Sequence, residues 1–184
     1  TNAAPVGVYT STFYAADKDG ADFEVVQIEI LAAPLPVSAP VWINEIHYDN
    51  AGTDSNEGVE VAGPAGVDLS SYSLIAYNGG GGAGYDSNAL SGSIDDEGCG
   101  VGAVWFAIPG LQNGNSDGVA LVRSGEVVQF LSYEGTLTAT SGPAAGMTSA
   151  DMGVAEAGLQ TNCSLQLRGV GTNYAQFAWA GPTN

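Results

Sequence analysis

The sequence predicts an all-β protein whose short strands stack as a sandwich or close as a barrel. Three observations lead there. Apolar and polar residues alternate at period two, turn signals recur roughly every ten residues, and no stretch sustains a helical period. With 184 residues, 45% of them hydrophobic, the chain can bury a core of ordinary size.

Taken in order, residues 7–17 (GVYTSTFYAAD) and 22–31 (DFEVVQIEIL) alternate and are joined by Lys18-Asp19-Gly20-Ala21, which reads as a β-hairpin. Residues 32–40 (AAPLPVSAP) carry three prolines in nine positions, a linker or extended strap. The expected division is therefore a hairpin segment at 1–36, too small for a core of its own, and a main domain at 41–184. Within the main domain, strands are expected at 41–48, 57–62, 72–78, 103–108, 118–123, 126–133, 164–168 and 174–179. Ser124-Gly125 supplies the two turn residues of the clearest hairpin. Gly79–Gly84 reads as a flexible loop; no Gly-Lys-Ser/Thr follows it, so it is not a phosphate cradle. The single helix candidate is Thr148–Glu156, interrupted by Gly153.

Charge narrows the function classes. Twenty Asp and Glu oppose three Lys and Arg, for a net charge of −17. Such a surface repels phosphate backbones and anionic lipid, so direct nucleic-acid binding by this chain is not expected unless a divalent cation bridges. No apolar run is long enough to span a bilayer as a helix. The chain begins Thr1-Asn2-Ala3-Ala4 and reads as a processed or excised piece of something longer. Scarce Lys, 27 glycines and a single pair of cysteines point to a secreted, extracellular setting. A Cys99–Cys163 disulfide would fit that setting and stabilise by about 4 kcal/mol in the chain-entropy model; two unrelated thiols are the alternative. The sequon Asn162-Cys163-Ser164 is only a three-residue match.

The candidate chemistry lies in residues 41–61 (VWINEIHYDNAGTDSNEGVEV). Strict alternation puts Trp42, Asn44, Ile46 and Tyr48 on one face and Ile43, Glu45 and His47 on the other. Should the following strand pair with this one, Glu57 or Glu60 joins Glu45 and His47 in an acid–base or metal site. The plainer reading is a lone histidine beside carboxylates held by backbone donors, because one His offers no second nitrogen ligand. The intervening loop offers Asp49, Asp54, Asn56 and Glu57 as hard oxygen ligands for calcium. Asp17, Asp19 and Asp22 form a second such set, and Asp95-Asp96-Glu97 reads as a solvated acidic turn. Asn- and Asp-rich loops also form turns without any metal, so calcium competes here with a plain turn. With no Gly-x-Ser-x-Gly elbow and one histidine, nucleophilic catalysis has no visible machinery. Trp42, Trp105 and Trp179 sit in apolar strand contexts and are expected in the core; exposed, they would instead form a sugar-stacking platform.

From Val41 onward the chain resembles bacterial lamin-tail-type domains. The matching segments are Ile43–Asn50 (INEIHYDN), Asn56-Glu57-x-Val59-Glu60-Val61, residues 62–79 (AGPAGVDLSSYSLIAYNG), Asn113–Leu121, residues 127–135 (VVQFLSYEG) and residues 164–169 (SLQLRG). Residues 9–20 look like the closing hairpin of bacterial immunoglobulin-like repeats. The resemblance implies an immunoglobulin-like β-sandwich, an accessory domain of secreted endonuclease/exonuclease/phosphatase-type nucleases, with catalysis in a separate domain. It supplies no catalytic residues. Gly58 is smaller than is usual in such domains, a cysteine pair is not general in them, and the C-terminal extension is short. The expected function is a non-catalytic accessory or binding domain, with other domains of its parent protein, a cell surface or a polysaccharide as partner. A carbohydrate-binding module is the first alternative, and a small metal-dependent hydrolase using Glu45 and His47 the second.

Overall fold

Period-two alternation gives each strand one face to bury, and two such faces must meet. The computed structural model describes the backbone of residues 7–17, 20–30, 41–156 and 163–183, and the side chains of 41–156 and 163–182. The chain divides into two units, Thr1–Ser38 and Ala39–Asn184. In the first, β1 (Gly7–Asp17) pairs antiparallel with β2 (Gly20–Ile30), Gly7 opposite Ile30 and Asp17 opposite Gly20. This is the expected hairpin, with β2 starting two residues early. The proline-rich linker lies outside the described residues.

The second unit is a β-sandwich of two five-stranded sheets. The first sheet is built from β3 (Trp42–His47), β4 (Gly58–Pro64), β7 (Val101–Ala107), β11 (Ser164–Gly169) and β12 (Phe177–Thr183), ordered β12-β11-β3-β4-β7. The second holds β5 (Tyr72–Tyr77), β6 (Gly84–Ala89), β8 (Gly118–Arg123), β9 (Glu126–Ser132) and the two-residue β10 (Ala150–Asp151), ordered β10-β9-β8-β5-β6. Between the sheets lies the main core, with Ile43, Ile46, Val59 and Leu165 from the first sheet facing Leu74, Val119, Leu121 and Leu131 from the second.

The second sheet is buried on both faces. Val119 to Val122 are all buried, the continuous apolar run expected of a strand covered twice. Its outer cover is the segment Leu137–Ser149, which packs Leu137, Ala139 and Ala144 on Ile75, Tyr77, Ala120 and Phe130. Ser149 fixes that segment: its backbone N–H donates to the Leu137 carbonyl, and its hydroxyl pairs with Ser132 at 2.7 Å. These contacts, with Gly153 at φ +71°, explain why no helix forms at 148–156. The glycine loop is anchored as well. Buried Asp117 accepts from the Gly79 and Gly114 backbone N–H groups, and β6 begins at Gly84, a polar edge strand the sequence reading missed. Residues 174–176 form a 3₁₀ turn ahead of β12 rather than strand. Ser124 and Gly125 take the positive φ values, +49° and +88°, that the β8–β9 turn requires.

Cys99 and Cys163 are both free thiols. Cys99 lies two residues before β7 and Cys163 one before β11; these strands run in opposite directions three strands apart, so the cysteines sit at opposite ends of the sheet. The lateral separation alone is about 14 Å, twice what a disulfide can span.

Candidate functional site

Strand β3 departs from simple alternation. Ile43 and Ile46 are both fully buried although three residues apart. The β3–β4 register explains this: Ile43 lies opposite Val61, Glu45 opposite Glu60 and His47 opposite Gly58, with a shift that leaves Asn44 as an extra residue. The bulge turns Val41, Ile43, Ile46 and Tyr48 inward and Trp42, Glu45 and His47 outward, correcting the faces assigned from sequence. The Ile43 N–H is satisfied across the sandwich by Gln129 Oε1 at 2.8 Å.

His47 is buried, and its ring is engaged on both sides. Nδ1 lies 2.8 Å from Glu156 Oε1, while Nε2 lies 3.1 Å from the Ser55 carbonyl and 3.0 Å from Asn50 Nδ2. The Asn50 amide is oriented by Ser55, whose N–H donates to Asn50 Oδ1 at 2.7 Å. Its NH2 group therefore faces Nε2, which favours a bare nitrogen there, whereas the Ser55 carbonyl favours a protonated one. Burial pushes the His47 pKa down, but the Glu156 carboxylate and the Ser55 carbonyl outweigh it and leave it raised above its ordinary value of 6.5. The other oxygen of Glu156 accepts from the Tyr48 and Asp49 N–H groups, both at 2.7 Å. In return, the Glu156 N–H donates to the Tyr48 hydroxyl. Tyr48 stacks on Tyr133 with ring centroids 3.7 Å apart. Glu156 thus closes the end of the sandwich. Sequence reasoning missed it, because it lies 109 residues from His47 and no local motif links them.

The predicted calcium ligands separate into two groups. Glu57 is buried and accepts the Gly110 N–H at 2.7 Å, and Asn56 is exposed at φ +58°. Asp49 and Asp54 converge on the Asn113 amide, each carboxylate 3.4 Å from Nδ2, while Asp54 also caps the Asn50 N–H. Among the described residues no three His, Cys, Asp or Glu side chains gather as a metal cage. Asp19 lies outside the described residues, as do the side chains of Asp17 and Asp22. Asp96 accepts from the Gly98 and Gly100 N–H groups, an exposed acidic turn as read from sequence.

Glu45 is not among the hydrogen-bond partners of the His47 ring. It lies opposite Glu60 and accepts the Ser164 hydroxyl at 2.6 Å. Glu60 in turn accepts from Asn44 Nδ2 at 2.7 Å, and its pKa is raised by burial, reinforced by the neighbouring Glu45 and Glu97 charges and opposed by that amide. Next to Glu60, on β7, stands Trp105, the exposed tryptophan of the three. Trp42 is buried on the outward face against Phe177, and Trp179 packs half-buried against the core. Comparisons with protein-family models, with curated proteins and with solved structures returned no match for the chain.

Proposed function

We propose that this chain is a non-catalytic accessory domain of a secreted multidomain protein, holding a partner or surface ligand near a catalytic domain elsewhere. One observation carries the reading: both ring nitrogens of His47 are occupied inside the fold, and Glu45 faces Ser164 instead. A general base or metal ligand needs a nitrogen open to substrate or ion. Glu57 and Glu156 are likewise spent on backbone N–H groups. His47, Glu57 and Glu156 act as fasteners.

The resemblance to lamin-tail-type domains supports the same assignment, with a nuclease or another hydrolase as the parent protein. The −17 charge argues for a partner other than a nucleic-acid backbone, and the scarcity of Lys with abundant Gly argues for an extracellular setting. Calcium enters this reading, among the described residues, through Asp49 and Asp54, with backbone carbonyls and water to complete its shell; the set Asp17, Asp19 and Asp22 remains a second proposed site. Incubating the chain with phosphodiester, phosphomonoester and glycoside substrates, with magnesium, manganese, calcium or zinc, tests the proposal. No turnover is expected; metal-dependent hydrolysis abolished by His47→Ala would overturn it.

A further inference from the structure

We infer that the outer face of the first sheet binds a neutral polysaccharide along the row Trp105, Glu60, Glu45 and Gln166; this rests on the accessory-domain reading and names its ligand. The row is fixed by register, since Gln166 lies opposite Glu45, Glu45 opposite Glu60 and Glu60 opposite Trp105. All four therefore share one face of the sheet, across β11, β3, β4 and β7. Three inter-strand spacings make about 14 Å, enough for a short run of linked sugars rather than a single ring.

The indole packs over Gly58 and stays partly open to solvent. A Cβ placed on Gly58 would meet Trp105 Cζ2 at 2.6 Å and the Phe106 carbonyl at 2.4 Å, so only glycine lets the ring lie against the strand. Trp105 is nonetheless 39% exposed, leaving indole surface open to solvent. The C–H face of a pyranose packs on such a ring, and its hydroxyls need acceptors and donors beside it. Glu45 and Glu60 each have one oxygen engaged, by Ser164 and Asn44, and the second has no partner among the described residues. Past Asn44 the face continues into a cleft of about 230 Å³ between Trp42, Ala62, Ala103, Glu97 and Phe177.

A second observation bears on the row. Like charges directly opposite on neighbouring strands destabilise a sheet, yet Glu45 and Glu60 face each other. Local conflicts of this kind are kept at functional or strained positions. The partner's class follows from what surrounds the indole. A protein hot spot needs a cluster of large apolar groups, but among the described residues the exposed large hydrophobics are Tyr85, Trp105, Met147 and Val170, and of these Trp105 alone lies within a strand of this sheet, Val170 following the end of β11. An acidic polymer would be repelled by the two carboxylates and the −17 charge. A neutral glycan satisfies both conditions.

Affinity electrophoresis of the chain through native gels containing mixed-linkage β-glucan, xyloglucan, galactomannan or starch tests the inference. Retardation by at least one polymer is expected, with none by polygalacturonate. Trp105→Ala should weaken it at least tenfold and Glu60→Gln several-fold, while Tyr85→Ala, on the other sheet, leaves it unchanged. Glu60→Gln relieves the charge conflict and keeps an oxygen for the Asn44 amide, so its urea midpoint should not fall; weaker binding with an unchanged midpoint is a loss at the row and not unfolding. No retardation by any of the four polymers, or retardation indifferent to Trp105→Ala and Glu60→Gln, overturns the platform. If the chain is then also without hydrolytic activity, the accessory reading survives; His47-dependent hydrolysis would remove that reading instead.

Discussion

His47 and Glu156 form a buried pair whose worth depends on pH. A histidine whose folded pKa is raised above 6.5 contributes stability that is fully present below 6.5. That contribution is lost as pH rises through the folded value. Denaturant stability of the chain should therefore increase from pH 8 towards pH 6, and His47→Gln should flatten that part of the profile. A wild-type profile that falls over the same window would contradict the assignment. Glu156→Ala strips the acceptor from two backbone N–H groups and from His47, a loss of about 3 kcal/mol for a buried, charge-assisted set, measurable by urea unfolding. Little of this pair was legible in the sequence. His47 stood out as the single histidine, but its partner is distant in the chain and sits in a stretch whose composition suggested a helix.

At the scale of elements, period two located most strands, and Ser124-Gly125 located the tightest turn. Both signals are local, and both are chemical requirements of the backbone. The bulge at Asn44 was not legible, because one inserted residue leaves the apolar content of β3 unchanged while flipping every side chain beyond it. Strand β6 was hidden for a related reason: it is a polar edge strand led by glycines, and its pairing is set by β5 rather than by its own pattern. The bulge also creates a testable dependence. Gln129 Oε1 is the acceptor for the Ile43 N–H, so Gln129→Leu leaves a buried donor unpaired. The expected cost is about 1–3 kcal/mol, read as a lower urea midpoint with unchanged slope. An unchanged midpoint would show that the bulge holds without this link.

Across the whole second unit, the two sheets have different surroundings. The second is packed on both faces, by the core and by the Leu137–Ser149 segment, whereas the outer face of the first carries half-buried carboxylates, amides and an exposed indole. This asymmetry separates fastening from binding: the His47–Glu156 cluster closes the end of the sandwich, and the Trp105 row is left for a ligand. The acidic charge acts at the same scale. Twenty carboxylates against three cations repel one another, so a bound divalent ion at Asp49 and Asp54 would relieve part of that repulsion. Millimolar calcium should raise the melting temperature relative to EDTA, by the equivalent of about 2.7 kcal/mol at a hundredfold excess over Kd; no shift removes calcium from the account.

The division of labour between the two regions is tested most directly by amide NMR of the chain titrated with a neutral oligosaccharide cut from whichever polysaccharide retards it. Shift changes should cluster at Glu45, Glu60, Trp105 and Gln166, with residues 49–57 and Glu156 unmoved. Changes concentrated around His47 and the 49–57 loop would contradict that division.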